Sequence, residues 1–202
     1  VSSDNSVQII KEATAGLKNV KIVINEKNCG ISKSTNKGIA LAKGEYTRLL
    51  DSDDIFPIDS TEILVDLAKS NNADMVYGCF VKTGKEPNEL TNCKLEDFTY
   101  KYNPDALDAV LNGRFTRMGQ LIKTSVLKDA GGADERVFIQ DESLPIRAAI
   151  KANGAIKMTA NVVLVPKENG NFSGNKLQLD NDRFMAYYFA LADNKDSLSK
   201  DK

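Results

Sequence analysis

The sequence predicts an α/β fold, a mostly parallel sheet with helices on both faces. Three observations carry this. Strand-like and helix-like segments alternate from residue 1 to residue 81, the pattern left by crossovers between parallel strands. Three carboxylates, Asp51, Asp53 and Asp54, follow directly on an apolar strand, and open α/β sheets bind ligands at the carboxyl ends of their strands. No apolar run approaches the roughly 18 residues of a membrane span, so the pattern belongs to a globular chain.

The elements can be read in order. Residues 7–17 place apolar side chains at helical spacing and close near Gly16. Lys21-Ile22-Val23-Ile24-Asn25 is a short β-branched strand, followed by a loop with Asn28 and Gly30 as turn residues. A helix is expected over 34–42, ending near Gly44, then a strand over 45–50 that stops at the acidic cluster. Pro57 suits the first turn of the next helix, which runs to about Ser70. A strand follows over 73–81. Residues 83–102 are polar and irregular, a surface loop or hairpin. Beyond them the sequence predicts helices over 104–111, 124–130, 141–153 and 177–192, and strands over 120–122 and 161–165. Pro145 falls in the first turns of its helix, where proline is tolerated. With no repeat or linker, residues 1–192 read as one domain and 193–202 as a polar, frayed tail. Val1-Ser2-Ser3-Asp4 reads like the end of a strand whose beginning is missing.

Composition narrows the function. The formal net charge of -1 argues against nucleic-acid binding, which leaves a basic excess, but allows small anionic ligands. The chain has no histidine. That removes His-based triads, HExxH zinc sites and His general bases together, and leaves acid–base work to carboxylates, Lys, Tyr or Cys. Cys29, Cys79 and Cys93 form no CxxC pair or disulfide framework, which suits a reducing, cytoplasmic setting.

The acidic cluster is the main candidate site. On an extended chain Asp51 and Asp53 point to the same side. Like charges this close raise each other's pKa, and a hard divalent cation such as Mg²⁺ or Mn²⁺ relieves the repulsion. A helix N-cap explains one Asp, whereas three in four residues exceed what capping requires. An EF-hand fails, because Phe56 stands where its glycine belongs. The apolar-apolar-D-x-D form also fits a haloacid-dehalogenase-like phosphatase with Asp51 as nucleophile and Asp53 as acid/base. The cluster alone leaves cap, phosphatase and metal site open.

A distant segment bears on the choice. The stretch from Ala130 to Arg147 contains Gly131-Gly132-Ala133-Asp134-Glu135 and Gln140-Asp141-Glu142-Ser143-Leu144. It resembles the "GGFDE…EDxxLxxR" stretch of family 2 glycosyltransferases, which have the GT-A fold. Four more segments resemble that family in order. Asp4-Asn5-Ser6 resembles "DDGS" or "DDNS", and Asn28-Cys29-Gly30 with Asn36-Lys37-Gly38-Ile39 resembles "NxGxxxARNxGI". Ala42-Lys43-Gly44-Glu45-Tyr46 resembles "AxGEYI", and Leu50-Asp51-Ser52-Asp53-Asp54 with Pro57 resembles the DxD-type "LDADDxxxP". The resemblance covers about residues 1–165.

The resemblance implies a metal-dependent, inverting transferase. It would move a sugar from a nucleotide-diphospho-sugar, a UDP-sugar, to the hydroxyl of a saccharide or lipid-linked saccharide acceptor in cell-surface polysaccharide or glycoconjugate synthesis. Asp4 would contact the nucleobase, and Asn36 would lie in the nucleotide-sugar site. Asp51 would sit near the ribose or sugar, and Asp53 would be the ligand of Mn²⁺ or Mg²⁺. Asp141 would be the general base, with Gly131, Gly132 and Arg147 on the acceptor side. The enzyme would be cytoplasmic, with at most peripheral association with the inner face of the membrane. A non-catalytic sugar- or nucleotide-binding relative is the other family reading. Two departures support keeping it: Thr35 replaces the usual Arg before Asn36, and residues 167–173 lack the His many members carry. Gln140 also replaces the usual Glu before Asp141, which leaves one carboxylate fewer on the acceptor side.

Overall fold

The computed structural model describes residues 4–112, 119–138, 140–167, 176–196 and 198. Helix α1 (Ser6–Ala13) comes first, and Gly16, at φ 85°, allows the chain to turn after it. Residues 21–25, expected as a strand, form none. Their β-branched side chains suit a pleat, but no described strand lies beside them to complete a ladder, and Val23 and Ile24 are exposed. β propensity without a hydrogen-bonding partner does not make a strand. Helix α2 (Ile31–Leu41) starts earlier than expected, entered through Gly30 at φ 80°.

Strand β1 (Tyr46–Arg48) is shorter than the expected 45–50, and helix α3 (Ser60–Ser70) begins three residues after Pro57. Pro57 instead accepts the Ser60 N–H and hydroxyl at its carbonyl and so ends the connecting loop. Strand β2 (Met75–Lys82) follows, then a short 3-10 turn at Pro87–Glu89 and strand β3 (Tyr100–Asn103) out of the segment expected to be irregular. Helix α4 (Ala106–Asn112), strand β4 (Leu121–Lys123), helix α5 (Thr124–Asp129), helix α6 (Gln140–Lys151), strand β5 (Ala155–Val165) and helix α7 (Lys176–Asp193) complete the described elements. Because α6 starts at Gln140, Pro145 lies in its second turn and cannot donate to the Asp141 carbonyl. The expected frayed tail begins too early. Asp193 still belongs to α7, and Leu198 packs on the core.

The sheet order is β1-β4-β2-β5-β3. Only β2 and β5 pair in parallel; β4 runs antiparallel to both β1 and β2, and β3 antiparallel to β5. The sheet is therefore mixed rather than mostly parallel. β1, β2 and β5 share one direction, and the early alternation covers the first two of them. The reversed strands both come from the chain after residue 82, where no periodicity sets direction.

Period-two alternation sends neighbouring strand residues to opposite faces. Met75, Tyr77, Ile122 and Ala155 pack under the helices α2, α4, α5, α6 and α7. Val76, Leu121, Ile156 and Met158 pack with Leu64 and Ala68 of α3 on the other face. Helices thus cover both faces. Beyond β1 the chain makes a bridge from Ile55 to Leu164 near the end of β5, so the acidic turn lies at the carboxyl ends of two strands.

Candidate active site

Asp51 to Asp54 form a turn closed by the Asp54 N–H donating to the Asp51 carbonyl at 3.2 Å. The strand alternation expected of Asp51 and Asp53 is therefore replaced by turn geometry. Asp51 and Asp53 are exposed and Asp54 is half-buried. Loss of hydration, followed by the charge of Asp53, pushes the Asp51 carboxyl up. Loss of hydration, then Asp53, then Asp51 push Asp54 up to about 6. Among the described residues no cation offsets either shift. The donor set is hard carboxylate oxygen with unneutralised charge, which fits Mg²⁺ or Mn²⁺. Among the described residues no three Asp, Glu or Cys side chains gather into a ready-made metal cage. An ion here would take part of its shell from a bound phosphate, the usual arrangement for these cations.

The second cluster is built on the turn between α5 and α6. Gly131 and Gly132 have φ 72° and 71°, the left-handed region that favours glycine. Asn36 reaches over from α2. Its amide nitrogen donates to the Ala133 carbonyl at 2.9 Å and to Glu135 at 3.2 Å, and its oxygen accepts the Ala133 N–H at 2.8 Å. Arg147 reaches back from α6, donating to the Gly132 carbonyl at 2.9 Å and the Ala130 carbonyl at 2.7 Å. The structure thus joins Asn36 to Gly131, Gly132 and Arg147. Asn36 was expected in the nucleotide-sugar site; its side-chain amide bonds the Ala133 backbone, in the turn expected on the acceptor side.

This turn delivers the start of α6. Asp134 is buried, and its N–H donates to the Ser143 hydroxyl at 3.0 Å. Burial pushes the Asp134 carboxyl up, but the hydrogen bonds and charge of Arg136, with Arg147, outweigh it and hold the group below the usual range. Asp141 lies in the first turn of α6, half-buried, where the helix dipole favours a carboxylate. Its neighbour Glu142 is buried and accepts from Arg183 of α7 at 3.3 Å. Asp4 is exposed and accepts the Ser6 N–H at 3.0 Å, and hydrogen bonds from the Ser6 side chain and then its N–H lower its pKa.

A groove of about 310 Å³ runs between Cys29–Lys33 and the stretch from Glu135 to Phe138. None of the expected carboxylates lines it, so it is no substitute for the acidic turn. Residues 168–173, where the missing histidine was noted, lie outside the described residues. Sequence reasoning missed Asp134, Ser143 and Arg183. Asp134 sits inside the quoted Gly-Gly-Ala-Asp-Glu motif, which was the available signal.

The family model for glycosyl transferase family 2 matches residues 1–132. Glycosyltransferase GlyG of Streptococcus pneumoniae is 35% identical over 77 residues, 38% of this chain and 26% of that protein. The uncharacterised glycosyltransferase YibD of Escherichia coli is 29% identical over 117 residues, 56% of this chain and 34% of that protein. The chain thus spans well under half the length of these relatives. Among solved structures, residues 1–349 of Staphylococcus aureus TarS in complex with UDP-GlcNAc superpose with a TM-score of 0.65 at 16% identity, covering 95% of this chain and 54% of that one. Mannosyltransferase PcManGT from Pyrobaculum calidifontis, in complex with GDP-Man and Mn²⁺, gives 0.65 at 16% identity, covering 95% and 53%. At that identity the likeness establishes the GT-A fold alone. With the family model matching well over half of the chain, from residue 1 to residue 132, the protein belongs to glycosyl transferase family 2.

Proposed function

We propose that the protein is an inverting glycosyltransferase that moves a sugar from a nucleotide-diphospho-sugar, a UDP-sugar, to the hydroxyl of a saccharide or lipid-linked saccharide. The observation that carries this reading is the turn of three mutually repelling carboxylates at the carboxyl ends of β1 and β5, with no counter-charge among the described residues. Such a turn accepts a cation together with an anionic ligand. The presence of UDP-GlcNAc in TarS, and of GDP-Man with Mn²⁺ in PcManGT, supports a nucleotide-sugar as that ligand.

In this reading Asp53 would hold Mn²⁺ or Mg²⁺, with Asp51 beside the ribose or sugar and Asp4 at the nucleobase. The ion would stabilise negative charge on the departing diphosphate. Asp141 accepts the proton of the acceptor hydroxyl as its oxygen bonds to the anomeric carbon. The bond from that carbon to the diphosphate oxygen breaks, and a nucleoside diphosphate leaves. One base and one leaving-group site give a single displacement and inversion. Gly131, Gly132, Asn36 and Arg147 hold the turn that aims Asp141. Family membership displaces the phosphatase reading of Asp51. Among the described residues no helix is long and apolar enough to cross a membrane. That is compatible with work at the inner face of a membrane in polysaccharide synthesis.

The test is a panel of UDP- and GDP-sugars with Mn²⁺ or Mg²⁺ on the full-length protein. Release of nucleoside diphosphate from at least one donor is expected, and it should be lost in Asp53→Ala and in Asp141→Ala. Transfer that survives both substitutions overturns the assignment.

A further inference from the structure

We propose that Arg48, through the planar reach of its guanidinium rather than through its charge, is the positioning residue that fixes the acidic turn. The inference rests on the glycosyltransferase reading for its functional meaning.

Arg48 is the last residue of β1, and the loop it opens, residues 49–59, carries Asp51, Asp53 and Asp54. Its Nη1 donates to the hydroxyls of Ser60 and Thr61, both at 2.7 Å, at the start of α3. Both stems of the loop are therefore tied to one side chain. Its Nη2 donates to the Val162 carbonyl of β5 at 2.8 Å, and its Nε to the Gly119 carbonyl at 2.9 Å. The guanidinium also lies over the Phe56 ring, 3.5 Å from its centroid, on the returning arm of the same loop. Ser60 passes the link on, because its hydroxyl donates to the Pro57 carbonyl.

This is an unusual use of a cation. Among the described residues Arg48 forms no ion pair, and taking a charge out of water without a counter-ion is costly. Burial lowers its pKa to about 10, which still leaves it charged at neutral pH. Its charge does not serve the carboxylates either, because Asp51 and Asp54 are shifted by burial and by other members of the turn, with no offset from Arg48. What remains is geometry. A rigid fork reaches acceptors on three other segments at once, and a lysine, with one nitrogen on a flexible stem, cannot. Gly119 fits the same arrangement. At φ 64° a Cβ there would come within 2.2 Å of Val163, so the carbonyl that receives Nε is held close against β5. Among the described residues the turn's other ties are the Asp54 N–H to Asp51 and the adjoining Ile55–Leu164 pair, while Ile58 and Asp59 farther along the loop bond to Cys93 and Leu95.

The experiment compares wild type, Arg48→Lys and Arg48→Gln. Two readouts are taken on protein whose thermal unfolding midpoint shows it is folded. Amide hydrogen exchange of the metal-free protein reports the turn directly. In both variants the Asp54 and Ile55 amides should exchange at least about tenfold faster, a loss of about 1.4 kcal/mol of local protection, while amides paired between β2 and β5 keep their rates. Mn²⁺ affinity, read from the free-ion electron paramagnetic resonance signal, should weaken at least about tenfold in both. Retained charge in Arg48→Lys should rescue neither. Wild-type exchange and affinity in Arg48→Lys overturn the proposal. If Arg48 variants do not fold, Thr61→Val removes one acceptor and should still loosen Asp54 and Ile55; unchanged protection there also overturns it. The two readings fail separately. Faster exchange in the variants with no Mn²⁺ binding or transfer by wild type upholds Arg48 and removes the glycosyltransferase reading. Unchanged exchange beside robust wild-type transfer does the opposite.

Discussion

Asn36 commits its whole side-chain amide to a single turn, a structural role that the sequence does not show. The sequence resemblance places it with the nucleotide-sugar. Its donor and acceptor are instead paired with the backbone of Ala133, 97 residues away. Nothing local in Ser34-Thr35-Asn36-Lys37 could reveal that partner, whereas the carboxylates of the 51–54 turn are legible because they are neighbours in the chain. Asn36→Ala leaves the Ala133 groups short of their partners and should cost about 1–3 kcal/mol in urea unfolding. Gly132→Ala meets two obstacles. Its φ of 71° strains any Cβ, and that Cβ would stand 2.2 Å from the Asn36 oxygen. The expected cost is again about 1–3 kcal/mol. Since both substitutions break the same clamp, the double variant should lose clearly less than the sum of the two. Strict additivity in that cycle would mean that Asn36 and Gly132 do not act together.

At the scale of elements, α7 braces the start of α6 through two arginines. Arg136 bonds to Asp134, pairs with Asp193 of α7 and lies 3.9 Å over the Phe189 ring. Arg183 pairs with Glu142, beside Asp141. The helices themselves were readable from periodicity, and α6 and α7 lie within two residues of their expected bounds. Their bracing was not, because an arginine's partner is set by packing rather than spacing. The same limit explains residues 21–25, where strand propensity met no partner. Asp134→Asn tests the brace. Its carboxyl has a folded pKa below the unfolded value, so it contributes stability above about pH 4, lost as pH falls through the folded value. At pH 7 the variant should unfold with about 1–3 kcal/mol less stability. The gap to wild type should narrow as the pH is taken below 4. A gap independent of pH would assign the loss to shape rather than charge.

Across the whole molecule, the two clusters hang on different parts of the fold. The acidic turn belongs to the sheet, held by β1, β5 and the first residues of α3. Asp141 belongs to the helical layer, held through α2, α5, α6 and α7. The mixed strand order matters here, because inserting β4 between β1 and β2 still leaves β1, β2 and β5 running one way, with the ends of β1 and β5 joined at the acidic turn. On the proposed function a division of labour would follow: the sheet would hold the donor and the helical layer would activate the acceptor. The two functions should then separate in mutants. Asp53→Asn should abolish Mn²⁺-dependent binding of UDP in calorimetry. Asp141→Asn should bind UDP and Mn²⁺ as wild type does, yet lose transfer by at least about a hundredfold, the scale of a missing general base. Equal weakening of UDP binding by Asp141→Asn and Asp53→Asn would overturn the separation, because the two clusters would then form one indivisible site rather than two held by separate layers.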